Sequence, residues 1–98
     1  MGIYRYKRVT CQMNRKTLLI ESAECKKFYI DLRRNNDGLI CFCGIVKSGV
    51  IEPIYNKSGR WLHLNSSLEY SCNLYVENGN LFMEDRANGC VLDIHWIE

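Results

Sequence analysis

Six cysteines and two histidines are the residues of this 98-residue chain best suited to chemistry. The closest pair lies in Cys41-Phe42-Cys43-Gly44, where the glycine resembles that of a zinc knuckle by letting backbone N–H groups approach the thiolates. In an extended strand both thiols share one face. A bulge or turn must then draw the sulfurs to within about 4 Å, because Zn–S bonds are about 2.3 Å long. Cys11, between Thr10 and Gln12, and Cys25, between Glu24 and Lys26, fall at strand ends where a thiolate stays accessible. Cys11, Cys25, Cys41 and Cys43 are therefore the expected zinc ligands, with His63, His95 or Cys90 able to replace either of the first two. Cys72 and Cys90 fall among Leu, Ile, Val and Trp and are expected to fill the core as small hydrophobes. An all-thiolate site has no open position, so such zinc would stabilise the fold and not catalyse. A chain this short buries only about 60–65% of its surface, which leaves room for that contribution.

The catalytic alternatives are thin. His63, in Trp61-Leu62-His63-Leu64, suits a half-buried hydrogen-bonded role. His95 stands two residues from Asp93, so a Cys–His–Asp arrangement is conceivable on residue types alone. No phosphate loop, zincin motif or nucleophile elbow accompanies it, and a non-enzyme is expected.

The elements that must hold these residues are strands. Asn36-Asp37-Gly38, Asn56-Lys57-Ser58-Gly59, Asn78-Gly79 and Asn88-Gly89 are turn signals, separated by short runs rich in Ile, Val, Tyr, Phe and Trp. They predict strands near residues 3–10, 17–22, 27–32, 39–46, 50–55, 60–64, 68–76, 81–86 and 90–97. Cys90, Leu92, Ile94 and Trp96 share one face, and Val91, Asp93, His95 and Ile97 the other. Leu68, Tyr70, Cys72, Leu74 and Val76 face together, opposite Glu69, Ser71, Asn73 and Glu77. Such alternation predicts one all-β domain over residues 1–98, a compact antiparallel sandwich or small barrel of short hairpins. Pro53 is expected at an edge or bulge, since it cannot donate to a ladder.

Charge is unevenly spread. Residues 1–34 carry nine basic and three acidic groups, a net +6, and the remainder carries −4. The basic third interleaves cations with rings in Tyr4-Arg5-Tyr6-Lys7-Arg8 and Lys26-Lys27-Phe28-Tyr29. Aromatic faces stack bases while Lys and Arg hold phosphates. Tyr4, Tyr6, Lys7, Arg8, Lys26, Lys27 and Phe28 thus form a candidate single-stranded nucleic-acid surface. The acidic remainder offers a different surface. Glu69, Glu77, Glu84, Asp85 and Asp93 are candidates to face a basic host protein, with charge steering the association.

The longest apolar run, Leu39 to Val46, is far shorter than the roughly 20 residues of a membrane helix. No apolar h-region follows Met1, so a reducing, cytoplasmic setting and a monomer are expected. An even cysteine count and sequons at Asn56 and Asn65 keep a disulfide-rich secreted binding domain as an alternative.

The short chain, with the Lys/Asn/Ile/Tyr usage of Tyr29-Ile30-Asp31 and Ile54-Tyr55-Asn56-Lys57 and no catalytic motif, resembles phage-encoded proteins. More narrowly, it resembles small inhibitors of CRISPR–Cas nucleases, some of which carry structural zinc. That likeness is one of size and composition, so it transfers no functional residue. It implies a zinc-stabilised, stoichiometric inhibitor of a host protein such as a Cas nuclease, blocking nucleic acid loading or a conformational step.

Overall fold

Period-two alternation runs through nearly every apolar segment, and an extended backbone is the conformation that sends alternate side chains to one side. The computed structural model describes residues 2–34, 38–58, 62–66, 72–86 and 89–98. Within them lie β1 (Tyr4–Cys11), β2 (Lys16–Ile20), β3 (Lys27–Arg34), β4 (Gly38–Lys47), β5 (Val50–Lys57), β6 (Leu62–Leu64), β7 (Cys72–Glu77), β8 (Asn80–Asp85) and β9 (Cys90–Ile97). Among the described residues there is no helix, so none is long and apolar enough to cross a membrane. The expected residues 60–61 and 68–71, and the turns at 36–37 and Asn88, lie outside the described residues.

The strands form two sheets, consistent with a small sandwich. One has five antiparallel strands in the order β1-β9-β3-β4-β5, and the other four in the order β2-β8-β7-β6 with β6 and β7 parallel. Consecutive strands pair where a tight turn joins them. The β7–β8 turn places Asn78 and Gly79 at φ 52° and 78°, and the β4–β5 turn places Ser48 and Gly49 at 54° and 75°. Positive φ at both central positions matches the twist of a hairpin, which is why Gly occupies the second position in both turns and Asn the first in one. The pairing of β1 with β9 closes the two ends of the chain onto each other, from Tyr4↔Ile97 to Cys11↔Cys90.

The five-stranded sheet turns Phe28, Ile30 and Leu32 of β3, Ile40, Phe42 and Val46 of β4, and Leu92 and Ile94 of β9 inward. They meet Leu74 of β7 and Leu81 and Met83 of β8, all fully buried. The Phe28 and Phe42 rings lie 5.8 Å apart at the centre of the five-stranded side. Pro53 sits on the edge strand β5, beside the register shift at Cys43/Gly44, so both parts of its expectation hold. The expected wet face of β7 is different: Asn73 and Tyr75 are both buried, although they alternate with the core residues Cys72 and Leu74.

Asn65 ties the sheets together. The Ile51 N–H donates to its Oδ1 at 2.7 Å, and its Nδ2 donates to the Ile51 carbonyl at 3.0 Å, so the amide acts as one residue of a strand beside β5. Its own N–H donates to the Leu74 carbonyl at 2.8 Å. Asn65→Ala is expected to lower the unfolding free energy by about 1–3 kcal/mol, through two lost hydrogen bonds at a left-handed position. Urea denaturation measures it, and an unchanged midpoint would show the clamp to be incidental.

Candidate functional site

Among the described residues, the outer face of the five-stranded sheet carries the main concentration of exposed rings. Register alone builds it. Tyr6 lies opposite His95, His95 opposite Tyr29, Tyr29 opposite Cys43 and Cys43 opposite Tyr55, a single row that crosses all five strands. With strands about 4.8 Å apart, each tyrosine of the row stands roughly 10 Å from the next, on alternate strands. Tyr6 and Tyr55 are 50% and 53% exposed, and Tyr4, one position out along β1, is 60% exposed. The His95 ring is their hub, with centroids 4.9 Å from Tyr6, 5.7 Å from Tyr4 and 6.0 Å from Tyr29. The Tyr4 hydroxyl also hydrogen-bonds His95 Nδ1.

Beside this aromatic row runs a charged one: Arg8, Asp93, Asp31, Cys41 and Lys57 in the same cross-strand order. Asp31 and Asp93 are direct partners, an arrangement that repels unless each carboxylate is held. Each is held. Arg8 donates to Asp93 through Nε at 2.9 Å and Nη2 at 3.1 Å, and the Tyr6 hydroxyl donates at 2.6 Å. Asp31 accepts from the Tyr29 hydroxyl at 2.7 Å and from the Cys41 thiol at 3.4 Å. Cys41 first and Asp31 second push the Tyr29 phenol well above its ordinary pKa. The Arg8 and Tyr6 hydrogen bonds hold the Asp93 carboxyl down at about 2.

The sign of this coupling is testable. A carboxyl depressed in the fold contributes stability above the ordinary carboxylate range near 3.9, and loses it as pH falls through about 2. Arg8→Ala is expected to raise the Asp93 midpoint toward the ordinary range, read by carboxyl carbon NMR. An unmoved midpoint would deny the guanidinium its role.

The expected zinc ligands are not brought together. Cys11 is buried at 1% exposure, not accessible at a strand end, because the alternation of β1 turns Val9 and Cys11 inward. Its thiol meets that of Cys90, its cross-strand partner, and that hydrogen bond first and burial second push it far above its ordinary pKa. Cys72 reaches Cys90 from the other sheet, and Asp85 is close enough to raise both Cys11 and Cys90. Cys72 and Cys90 fill the core as expected. Cys41 and Cys43 lie half-buried on the opposite, outer face of β4, and Cys25 is exposed in the turn before β3 with φ 65°. Among the described residues no group of three or more His, Cys, Asp or Glu is arranged to hold a metal ion.

The expected acidic surface is dispersed as well. Asp85 is fully buried, Glu77 pairs with Lys16 at 2.8 Å, and Glu84 pairs with Arg86 at 3.1 Å and accepts from Tyr75. These three belong to the four-stranded sheet and Asp93 to the other, so they share no surface. Glu69 lies outside the described residues.

Of the basic and aromatic set, Tyr4, Tyr6, Arg8 and Lys27 lie on the platform. Phe28 does not: it is a core residue, 1% exposed. Lys7 shares the inward alternation of β1, with Nζ 5.9 Å from the Trp96 ring centroid, and Lys26 is engaged by Glu98 at 2.8 Å. Tyr29, Tyr55 and His95 complete the surface in their place. For Tyr29 the signal lay in parity, since apolar Ile30 and Leu32 draw Phe28 inward with them and turn Tyr29 out. Comparison with protein-family models, curated proteins and solved structures returns no match, so the chemistry of this face is the guide to its ligand.

Proposed function

We propose that the outer face of the five-stranded sheet binds single-stranded nucleic acid. The observation that carries this reading is the row Tyr6-His95-Tyr29-Cys43-Tyr55, in which tyrosine rings stand on alternate strands, half exposed at Tyr6 and Tyr55 and partly buried at Tyr29. Each ring offers a stacking surface to any base, and the roughly 10 Å spacing leaves room for a separate base on each. Lys27, Arg33 and Lys57 are exposed on β3 and β5 and supply phosphate contacts along the rim. Asp31 and Asp93 keep the backbone away from the middle of the face, where bases and not phosphates then lie.

A second reading, the stoichiometric inhibitor of a host protein, draws on a specific observation. Ile97 and Val91 are exposed beside the tyrosines and Arg8 on the same face, the composition of a protein-binding surface. Neither reading requires zinc, and Cys11, Cys25, Cys41 and Cys43 are divided between core, turn and outer face.

Fluorescence anisotropy with a labelled single-stranded oligonucleotide separates the two. If three cations meet phosphates, the logarithm of affinity falls with the logarithm of salt at a slope of about −2. No binding at low salt, or equal binding of a duplex of the same sequence, would contradict the platform and leave the protein partner.

A further inference from the structure

A cavity of about 230 Å³ opens at one end of the platform, lined by Tyr4, Lys27, Tyr29, Cys43, His95 and Trp96 among others. It lies between two cross-strand rows, with Tyr4 and Lys27 on one side and His95, Tyr29 and Cys43 on the other. Its size is below the roughly 300 Å³ at which pockets for drug-sized molecules begin, which suits a single small ring system. The rings of Tyr4, Tyr29 and His95 contribute to its walls, and Lys27 lies beside them.

Resting on the nucleic-acid reading, we propose that this cavity is an anchor for one nucleotide, which enters with its base against the rings of Tyr4, His95 and Tyr29 and its phosphate at Lys27. The flat walls match a base, whose faces are apolar and whose area is that of the rings around it. Lys27, exposed and lining the cavity, matches the phosphate that each nucleotide in a strand carries. The remaining tyrosines, Tyr6 and Tyr55, then hold neighbouring bases by stacking alone. The anchor distinguishes this end of the platform from a uniform stacking surface and sets the register of the bound strand.

The ring resonances of Tyr4, Tyr29 and His95, which line the cavity, report on it by NMR. Adenosine 5′-monophosphate, adenosine and inorganic phosphate are the probes, each titrated against the whole chain. The monophosphate is expected to bind about tenfold more tightly than adenosine, and Lys27→Ala to remove that difference. Phosphate alone is expected to leave those resonances unchanged.

Cys43→Leu fills the cavity from a half-exposed position, with thermal denaturation reporting whether the fold survives. It is expected to abolish monophosphate binding and to weaken oligonucleotide binding at least tenfold. Oligonucleotide binding that survives Cys43→Leu, with no monophosphate response in the native chain, would overturn the anchor and leave the platform standing. Monophosphate seated in the cavity without oligonucleotide affinity would support the pocket and overturn the platform. The absence of both would overturn both.

Discussion

Replacing Tyr6 and Tyr55 together with alanine is expected to lower affinity for a single-stranded oligonucleotide by about 30-fold or more. Each base–aromatic stack is worth about 1–3 kcal/mol, and the two rings stand at opposite ends of the aromatic row, so the losses add. The rings are half exposed, and their removal costs the fold little. Tyr6→Phe serves as the contrast. It keeps the ring but loses the hydroxyl that donates to Asp93, so binding is expected to stay near the native value while the Asp93 midpoint rises. If the phenylalanine variant loses as much affinity as alanine does, the tyrosine acts through its hydrogen bond and the stacking account is wrong.

The second large effect concerns the strand that supports the middle of the platform. Phe42→Ala is expected to cost about 3–5 kcal/mol, because the ring is fully buried against Phe28 and its removal leaves a cavity that the surrounding β-ladder resists closing. For a domain whose total stability is about 5–15 kcal/mol, that is a large share, and the melting temperature should fall by more than about 10 °C. The same ring explains Gly44. A Cβ there would lie 2.8 and 3.0 Å from Phe42 ring carbons and 3.1 Å from the Glu52 carbonyl oxygen. Gly44→Ala should therefore destabilise the native chain but cost less when Phe42 is already leucine, a coupling that a double-mutant cycle reads directly. Equal costs in both backgrounds would place the strain on Glu52 alone. Cys41 and Cys43 alternate with these residues on β4, so packing on the inner face determines how flat the outer face is.

Local alternation carried most of the architecture. The strands among the described residues overlap the predicted runs, although β5 continues through the expected turn at Asn56-Lys57 and the Ser48-Gly49 turn is not among the signals. The two faces of β9 are divided as the pattern of Cys90, Leu92, Ile94 and Trp96 predicts. The site was less legible because it depends on which strands become neighbours. Nothing local to Tyr6, His95, Tyr29, Cys43 or Tyr55 says that they share a row; only the order β1-β9-β3-β4-β5 puts them in one. Tyr55 was further hidden by the register shift beside Pro53, which breaks the parity by which its side could be assigned. The acidic residues illustrate the reverse. They are close in sequence, yet Asp85 lies inside the sandwich and Glu84 on one sheet while Asp93 lies on the other, because β8 and β9 enter different sheets. Cys11 was misplaced for a similar reason. A polar neighbour on each side suggested access, but its partner across the ladder is Cys90, which belongs to the core.

The claim that the outer face of the five-stranded sheet is the nucleic-acid surface is tested most directly by NMR of the isotopically labelled chain with an unlabelled single-stranded oligonucleotide at low salt. The account predicts shifts concentrated in the aromatic resonances of Tyr6, Tyr29, Tyr55 and His95, with Lys16, Phe82 and Glu84 of the other sheet unmoved. Shifts centred on Lys16, Phe82 and Glu84, or no shifts at all, would contradict it.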